Sequence, residues 1–231
     1  MGIILFGRDI INKTSIEWVV NPDGTQGYTW NPVTGCLNSC PYCYARKIAN
    51  RFQGDFKPKF HPERLNEPLK IKKPSTIFVG SMADMFGNWV EHIWIEQILD
   101  ITRKCQQHRF LFLTKNPNRY ESFLIPPNSW VGYTATSTRE CCFDFRGKGN
   151  FYLSAEPLLG KVYIKDNLRW VIIGALNSNG KPVLPDKGGT RKEWVISLLC
   201  EADKYKIPVF IKDSLCELYP DLPRRREIPY L

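Results

Sequence analysis

The sequence predicts an α/β fold: a parallel sheet whose six or seven short strands alternate with helices, as in a complete or partial (β/α) barrel. Three observations predict it. Apolar runs of about five residues, rich in β-branched and aromatic side chains, recur along the chain as strands buried on both faces do. Stretches of helical period separate several of them. Polar residues follow where the apolar runs give out, at the rim where barrels keep their chemistry.

In order, residues 28–33 are aromatic and β-branched and form a first strand. The turn Asn21-Pro22-Asp23-Gly24 precedes it. A cysteine-rich loop follows, then a helix over 44–52 with Tyr44, Ile48 and Phe52 at i, i+4 and i+8, ended by Gly54. Residues 55–74, rich in Pro and Lys, are expected to be a surface excursion. Residues 76–81 and 109–114 are buried strands. Between them lies a helix over 89–105, with Ile93, Ile95, Ile98, Leu99 and Ile101 on its apolar faces. A short helix near 119–123 and a break at Pro126-Pro127-Asn128 lead to strands over 130–134, 151–154 and 169–174. An amphipathic helix over 193–205 and a strand over 208–212 close the series. Some links, such as 137–150, are thin for a full helix.

At 231 residues the chain is long enough for a core of its own. It reads as a single domain over 1–231, with 1–27 an N-terminal extension, 55–74 the excursion and 217–231 a basic tail. No apolar run has the length of a membrane span, and the first residues lack a basic leader and a small-residue cleavage site. A cytoplasmic protein without membrane partners is expected. The net charge of +9 permits an anionic partner, so nucleic acid is a possible one, beside the simpler reading of a solvated basic surface. The basic and aromatic run Lys57-Pro58-Lys59-Phe60-His61 and the tail Arg224-Arg225-Arg226 are where phosphates would be met.

The stretch that carries chemistry is Cys36-Leu37-Asn38-Ser39-Cys40-Pro41-Tyr42-Cys43, a Cys-x3-Cys-x2-Cys spacing on a loop after the first strand. Thiolates this close can meet at one metal centre. A structural zinc site wants four protein ligands, and no fourth Cys or His lies nearby. Three thiolates suit a [4Fe–4S] cubane whose fourth iron stays open for a ligand. Further strand ends offer Ser81 and Asp84, then Lys115, Thr134 with Thr136, Glu156, Gly174 with Asn177, and Lys212 with Asp213.

These residues carry a resemblance. Cys36, Cys40 and Cys43, with Tyr42 before the third, resemble the signature of radical S-adenosylmethionine (radical SAM) enzymes. Ile16-Glu17-Trp18, Thr29-Trp30-Asn31-Pro32-Val33-Thr34-Gly35, Pro62-Glu63-Arg64-Leu65, Ser81-Met82-Ala83-Asp84-Met85-Phe86, Leu113-Thr114-Lys115-Asn116-Pro117 and Ser154-Ala155-Glu156-Pro157-Leu158-Leu159-Gly160 resemble the phage Gp37/Gp68-type (DUF5131-type) family of small radical SAM proteins. The resemblance runs from about residue 15 to residue 215. It implies a partial (β/α)6-7 TIM-like barrel of radical SAM type. It also implies a [4Fe–4S] cluster on Cys36, Cys40 and Cys43, and SAM chelating the open iron. Reductive cleavage of SAM would yield a 5′-deoxyadenosyl radical that abstracts hydrogen from the substrate. The resemblance does not supply the substrate; on net charge alone nucleic acid or a nucleotide leads, with a small metabolite next and a peptide third. A flavodoxin- or ferredoxin-like electron donor is implied as partner.

By the same resemblance, Ser81, Asp84, Lys115, Glu156 and Gly174 form the cofactor shell. Ser81 and Asp84 suit the amine or a ribose, Lys115 the carboxylate or an anionic substrate, Glu156 the ribose hydroxyls; for Asp84 and Glu156 the simpler reading is a salt bridge to a neighbouring lysine. Gly174 would let the backbone approach the ligand. The related proteins carry Gly-Gly-Glu-Ser after the sixth strand; here Gly174-Ala175-Leu176-Asn177 stands instead, and Asn177 is the candidate replacement. Two rival readings stay open, a metal-stabilised nucleic-acid-binding module without catalysis and an electron-transfer iron–sulfur protein. The vicinal Cys141-Cys142 reads as two idle thiols, or as a redox pair, a hydrogen-atom donor or part of a second metal site. Cys105, Cys200 and Cys216 read as small core residues. His61, His92 and His108 show no ligand spacing.

Overall fold

A computed structural model describes residues 11–52, 54–138, 143, 145 and 149–229. Cys141 and Cys142 lie outside the described residues.

The chain forms β1 (Asn12–Lys13), β2 (Tyr28–Trp30), β3 (Val33–Thr34), α1 (Tyr44–Phe52), β4 (Lys59–Phe60), β5 (Thr76–Val79), α2 (His92–Lys104), β6 (Arg109–Thr114), β7 (Ser129–Thr134), β8 (Asn150–Ala155), β9 (Trp170–Ile173), β10 (Asn177–Ser178), β11 (Lys181–Pro182), α3 (Lys192–Lys204), β12 (Val209–Ile211) and α4 (Asp213–Leu218). The main sheet runs β1-β2-β5-β6-β7-β8-β9-β12. All neighbours in it are parallel except β1, which lies antiparallel along β2. The short helix expected near Arg119 is a 3-10 stretch over Pro117–Ser122.

The sheet has two buried faces. Ile77, Val79, Phe110, Phe112, Val131, Leu153, Val171, Ile173 and Val209 point outward and pack with Ile95, Ile98 and Leu99 of α2 and Val195 and Leu198 of α3. Alternate residues Phe78, Leu111, Trp130, Tyr152, Trp170, Ile172 and Phe210 point inward and close on Trp18 and Val19. Strands buried on both faces lose the polar alternation of a half-exposed sheet, which is why they read as continuous apolar runs. Trp18 contacts Phe78 and Trp170 edge-on, with ring centroids 4.9 and 6.0 Å apart. Residues 11–27 therefore supply part of the inner core.

Among the described residues β12 does not pair with β1 or β2, so the barrel is open. The tail borders that edge: Ile211 N donates to Arg225 O at 2.8 Å and Glu227 N to Val209 O at 3.1 Å. Glu17 spans the seam, accepting from Arg226 Nη1 and from Asp213 N, each at 2.8 Å. Residues 55–74 are anchored rather than loose. β4 pairs with β3, and Phe56, His61, Glu67 and Pro68 are buried. Cys105 and Cys216 are buried as expected, but Cys200 is exposed on the solvent side of α3, because the inward positions there belong to Val195, Leu198, Leu199 and Ala202. No helix is long and apolar enough to cross a membrane among the described residues.

Candidate active site

Because side chains alternate along a strand, the inward face predicts its own rim. Leu111 and Leu113 are followed by Lys115, Trp130 and Gly132 by Thr134, Tyr152 and Ser154 by Glu156, Trp170 and Ile172 by Gly174, and Phe210 by Lys212. All but Gly174 line a cavity of about 640 Å³ at the C-terminal ends of the strands. Cys36, Cys40 and Cys43 line it too, with Ser81, Asp84 and Asn177. Trp18, Phe78 and Leu113 contribute apolar wall. Of the strand-end candidates, Thr136 and Asp213 do not line it.

The cysteine loop is fixed from both sides. Gly35 has φ +86°, and a Cβ there would lie 2.0 Å from the Lys57 carbonyl oxygen, so only glycine fits. Gly35 N donates to Met82 O at 2.9 Å and Cys36 N to Phe56 O at 3.0 Å. Arg46 Nη2 donates to Cys36 O at 2.8 Å. The thiols accept weak bonds, Cys36 Sγ from Asn38 N at 3.5 Å and Cys43 Sγ from Arg46 N at 3.4 Å. Burial pushes the Cys36 thiol above its usual pKa, and Asp84, Cys40 and Cys43 push it further. The apolar positions that announce α1 are not the ones it buries. Ala45 and Ala49 pack on Phe56 beside Cys36 and Cys43, while Tyr44, Ile48 and Phe52 are exposed. Small residues let the helix sit close to the loop.

Asp84 is buried and fully engaged. Oδ2 accepts from Asn38 Nδ2 at 2.8 Å and Lys115 N at 3.0 Å; Oδ1 accepts from Thr114 Oγ1 at 2.5 Å and Phe86 N at 3.2 Å. It joins the cysteine loop to the end of β6 and has no lone pair to spare for an amine or ribose. Ser81 Oγ exchanges hydrogen bonds with the Asn31 amide, at 3.0 and 3.2 Å. Lys115 Nζ lies 5.7 Å from the Tyr42 ring centroid.

Across the cavity, Glu156 Oε2 is 2.9 Å from Lys212 Nζ and Oε1 accepts from Ser154 Oγ at 3.1 Å. The Glu156 carboxylate raises the Lys212 pKa. A Cβ at Gly174 would meet Glu156 Cγ and Lys212 Cδ, each at 3.1 Å, so this glycine makes room for the ion pair. The Glu156-Pro157 peptide is cis.

Sequence reasoning missed Asn38, Tyr44, Lys47, Leu176 and Asn179, and the wall from Ile16 and Trp18. Asn38 and Tyr44 flank the cysteines and were open to notice; nothing local marks Trp18. Two of the three tail arginines are committed internally. Arg225 pairs with Asp203 and Glu227, Arg226 with Glu17 and Asp213.

Residues 13–215 match the family described as "Protein of unknown function (DUF5131)". The chain belongs to this family. The fold is similar to that of spore photoproduct lyase complexed with dinucleoside spore photoproduct, at 10% identity and a TM-score of 0.50, over 80% of this chain and 75% of that one. A doubly substituted form of the lyase with bound AdoMet and the same dinucleoside matches at 9% identity and a TM-score of 0.50, with equal coverage. No curated protein matches. The likeness is one of fold, a partial (β/α) barrel around a parallel sheet.

Among the described residues Cys36, Cys40 and Cys43 are the only cysteines that line the cavity, and no histidine lines it with them. A structural zinc site takes four protein ligands, so this donor set suits a centre that leaves one position open. Thiols that repel one another as anions are held deprotonated by a cationic centre.

Proposed function

We propose that this protein is a radical SAM enzyme. The observation that supports the reading most strongly is the meeting, in one cavity, of three thiols at Cys-x3-Cys-x2-Cys spacing and a wall of charged strand ends. Cys36, Cys40 and Cys43 would hold a [4Fe–4S] cluster with one iron left for SAM. When bound, the pair supplies a 5′-deoxyadenosyl radical by one-electron cleavage of the sulfonium, with a flavodoxin- or ferredoxin-like protein as electron source.

The chain's own residues bind and orient. Glu156, steadied by Ser154 and Lys212, presents a carboxylate to hydroxyl donors such as those of a ribose. Lys115 and the Asn177 amide offer donors for a carboxylate. Ser81 reaches the cavity beside the Tyr44 hydroxyl, which donates to Ser81 O at 2.8 Å. Asp84 is a positioning residue, holding Asn38 and hence the loop. Trp18, Phe78 and Leu113 exclude water from the floor. The volume is in the range of cofactor sites and leaves a substrate to reach in from the lip.

Anaerobic reconstitution with iron and sulfide, then dithionite and SAM, tests the reading. Iron near four per chain and 5′-deoxyadenosine by chromatography are expected, both lost in a variant with Cys36, Cys40 and Cys43 replaced by Ala. A protein that takes up zinc, rejects iron and leaves SAM intact overturns it in favour of a metal-stabilised binding module.

A further inference from the structure

Three large apolar side chains on α1 are turned away from the core. Tyr44 is 53% exposed, Ile48 44% and Phe52 59%. At i, i+4 and i+8 they form one stripe along the helix. The stripe begins in the cavity wall, since Tyr44, Lys47 and Ile48 line it, and runs outward to Phe52 at the helix end. A chain lying on the stripe therefore leads into the cavity.

The charged residues of α1 itself are all basic. Residues 24–54 contain Arg46, Lys47 and Arg51 and no acidic residue. Arg46 is spent on the Cys36 carbonyl and the Phe56 ring. Lys47 and Arg51 are exposed and form no ion pair among the described residues; the Arg51 guanidinium lies 5.4 Å from the Phe52 ring centroid. The Tyr44 ring is held at the lip by its hydroxyl bond to Ser81 O. Exposed aromatic rings interleaved with unpaired cations are the chemistry that binds single strands, with bases stacking on the rings and phosphates meeting the cations.

We infer that the α1 face is a docking strip for single-stranded nucleic acid, which it feeds into the cavity so that one nucleotide reaches the reacting centre. This rests on the proposed function for what happens in the cavity, and on the α1 surface alone for binding. An acidic protein surface would use Lys47 and Arg51 but has no stacking need for Tyr44 and Phe52. A duplex has its bases closed to both rings.

Fluorescence anisotropy tests this, on anaerobically reconstituted protein with a short fluorescein-labelled oligothymidylate, its ribo counterpart oligouridylate, the corresponding duplex, and polyglutamate as an anionic control. We expect both single strands to bind, more tightly than duplex or polyglutamate, with affinity falling steeply from about 50 to 200 mM salt. Replacing Lys47 and Arg51 together by Ala should reduce the slope of log affinity against log salt by about 1.4. Phe52→Ala should weaken binding about tenfold with the slope unchanged. Ile196→Ala, another exposed apolar residue but on α3, should change nothing. Circular dichroism confirms that the variants are folded. No binding of either single strand, equal binding of polyglutamate, a preference for duplex, or insensitivity to all α1 changes would each overturn the inference. Assay of 5′-deoxyadenosine on the same samples keeps the two readings apart. Binding without SAM cleavage leaves the strip standing and removes the radical chemistry; cleavage without binding does the reverse.

Discussion

On the β2–β6 side of the cavity a carboxylate, Asp84, meets four hydrogen-bond donors and, among the described residues, no ion-pair partner; on the β8–β12 side another, Glu156, meets an ammonium. The first is a knot. Its donors come from the cysteine loop, from the end of β6 and from its own turn. The second is a contact surface, because Glu156 and Lys212 line the cavity and retain lone pairs and protons for a guest. The difference shows that polar residues at equivalent strand ends divide into those that build the site and those that face into it. Burial and hydrogen-bond count tell them apart, whereas residue type does not.

Asp84→Ala leaves buried donors without an acceptor, and should cost about 3 kcal/mol in denaturant unfolding and release iron from the reconstituted protein. Undiminished iron retention would show that Asp84 does not hold the loop. Gly35→Ala forces a Cβ against the Lys57 carbonyl at a left-handed φ, and should cost about 2 kcal/mol and also impair cluster uptake. On the contact side the order of effects reverses. Glu156→Gln keeps an oxygen for Lys212 and Ser154 and should cost about 1 kcal/mol of stability, less than either change above, yet weaken SAM binding about tenfold by equilibrium dialysis. An unchanged SAM affinity would remove Glu156 from the cofactor shell.

The two sides should also fail at opposite ends of the pH scale, the smallest effect expected. His61, buried beside Arg64, has its pKa lowered by burial first and by that guanidinium second. Its Nε2 lies 2.8 Å from Thr34 Oγ1, just before the cysteine loop. A depressed histidine lends stability above its unfolded pKa, about 6.5, that is lost as pH falls, since the unfolded chain then takes up the proton more readily. Lys212 has a raised pKa, so its pair contributes fully below about pH 10.4 and is lost as pH rises further. Melting curves should show His61→Asn flattening the acid limb and Lys212→Met the alkaline one. Interchanged effects would refute the assignment.

Much of the fold was legible because strands buried on both faces leave continuous apolar runs. The run at residues 109–114 and the helix at 44–52 have the bounds the sequence predicts. The rim was legible by strand counting, which brought Lys115, Glu156 and Lys212 to one end before any contact was known. What stayed hidden depends on long-range contact. Trp18 reads in the sequence as part of an N-terminal extension, yet it fills the barrel between Phe78 and Trp170. The exposure of Tyr44, Ile48 and Phe52 was hidden too, because helical period locates an apolar stripe without saying which stripe is covered. Asp84 and Glu156 looked alike, since nothing local counts the donors that the fold gathers around one of them.

The most direct test of the account is the electron paramagnetic resonance spectrum of the reduced, reconstituted protein with and without SAM. If the cysteine wall holds a cluster with an open iron and the facing wall holds SAM, adding SAM shifts the signal in the wild type. The shift weakens in Glu156→Gln and is absent, with the signal itself, when Cys36, Cys40 and Cys43 are Ala. A cluster signal indifferent to SAM would contradict the account and leave an iron–sulfur protein that carries electrons alone.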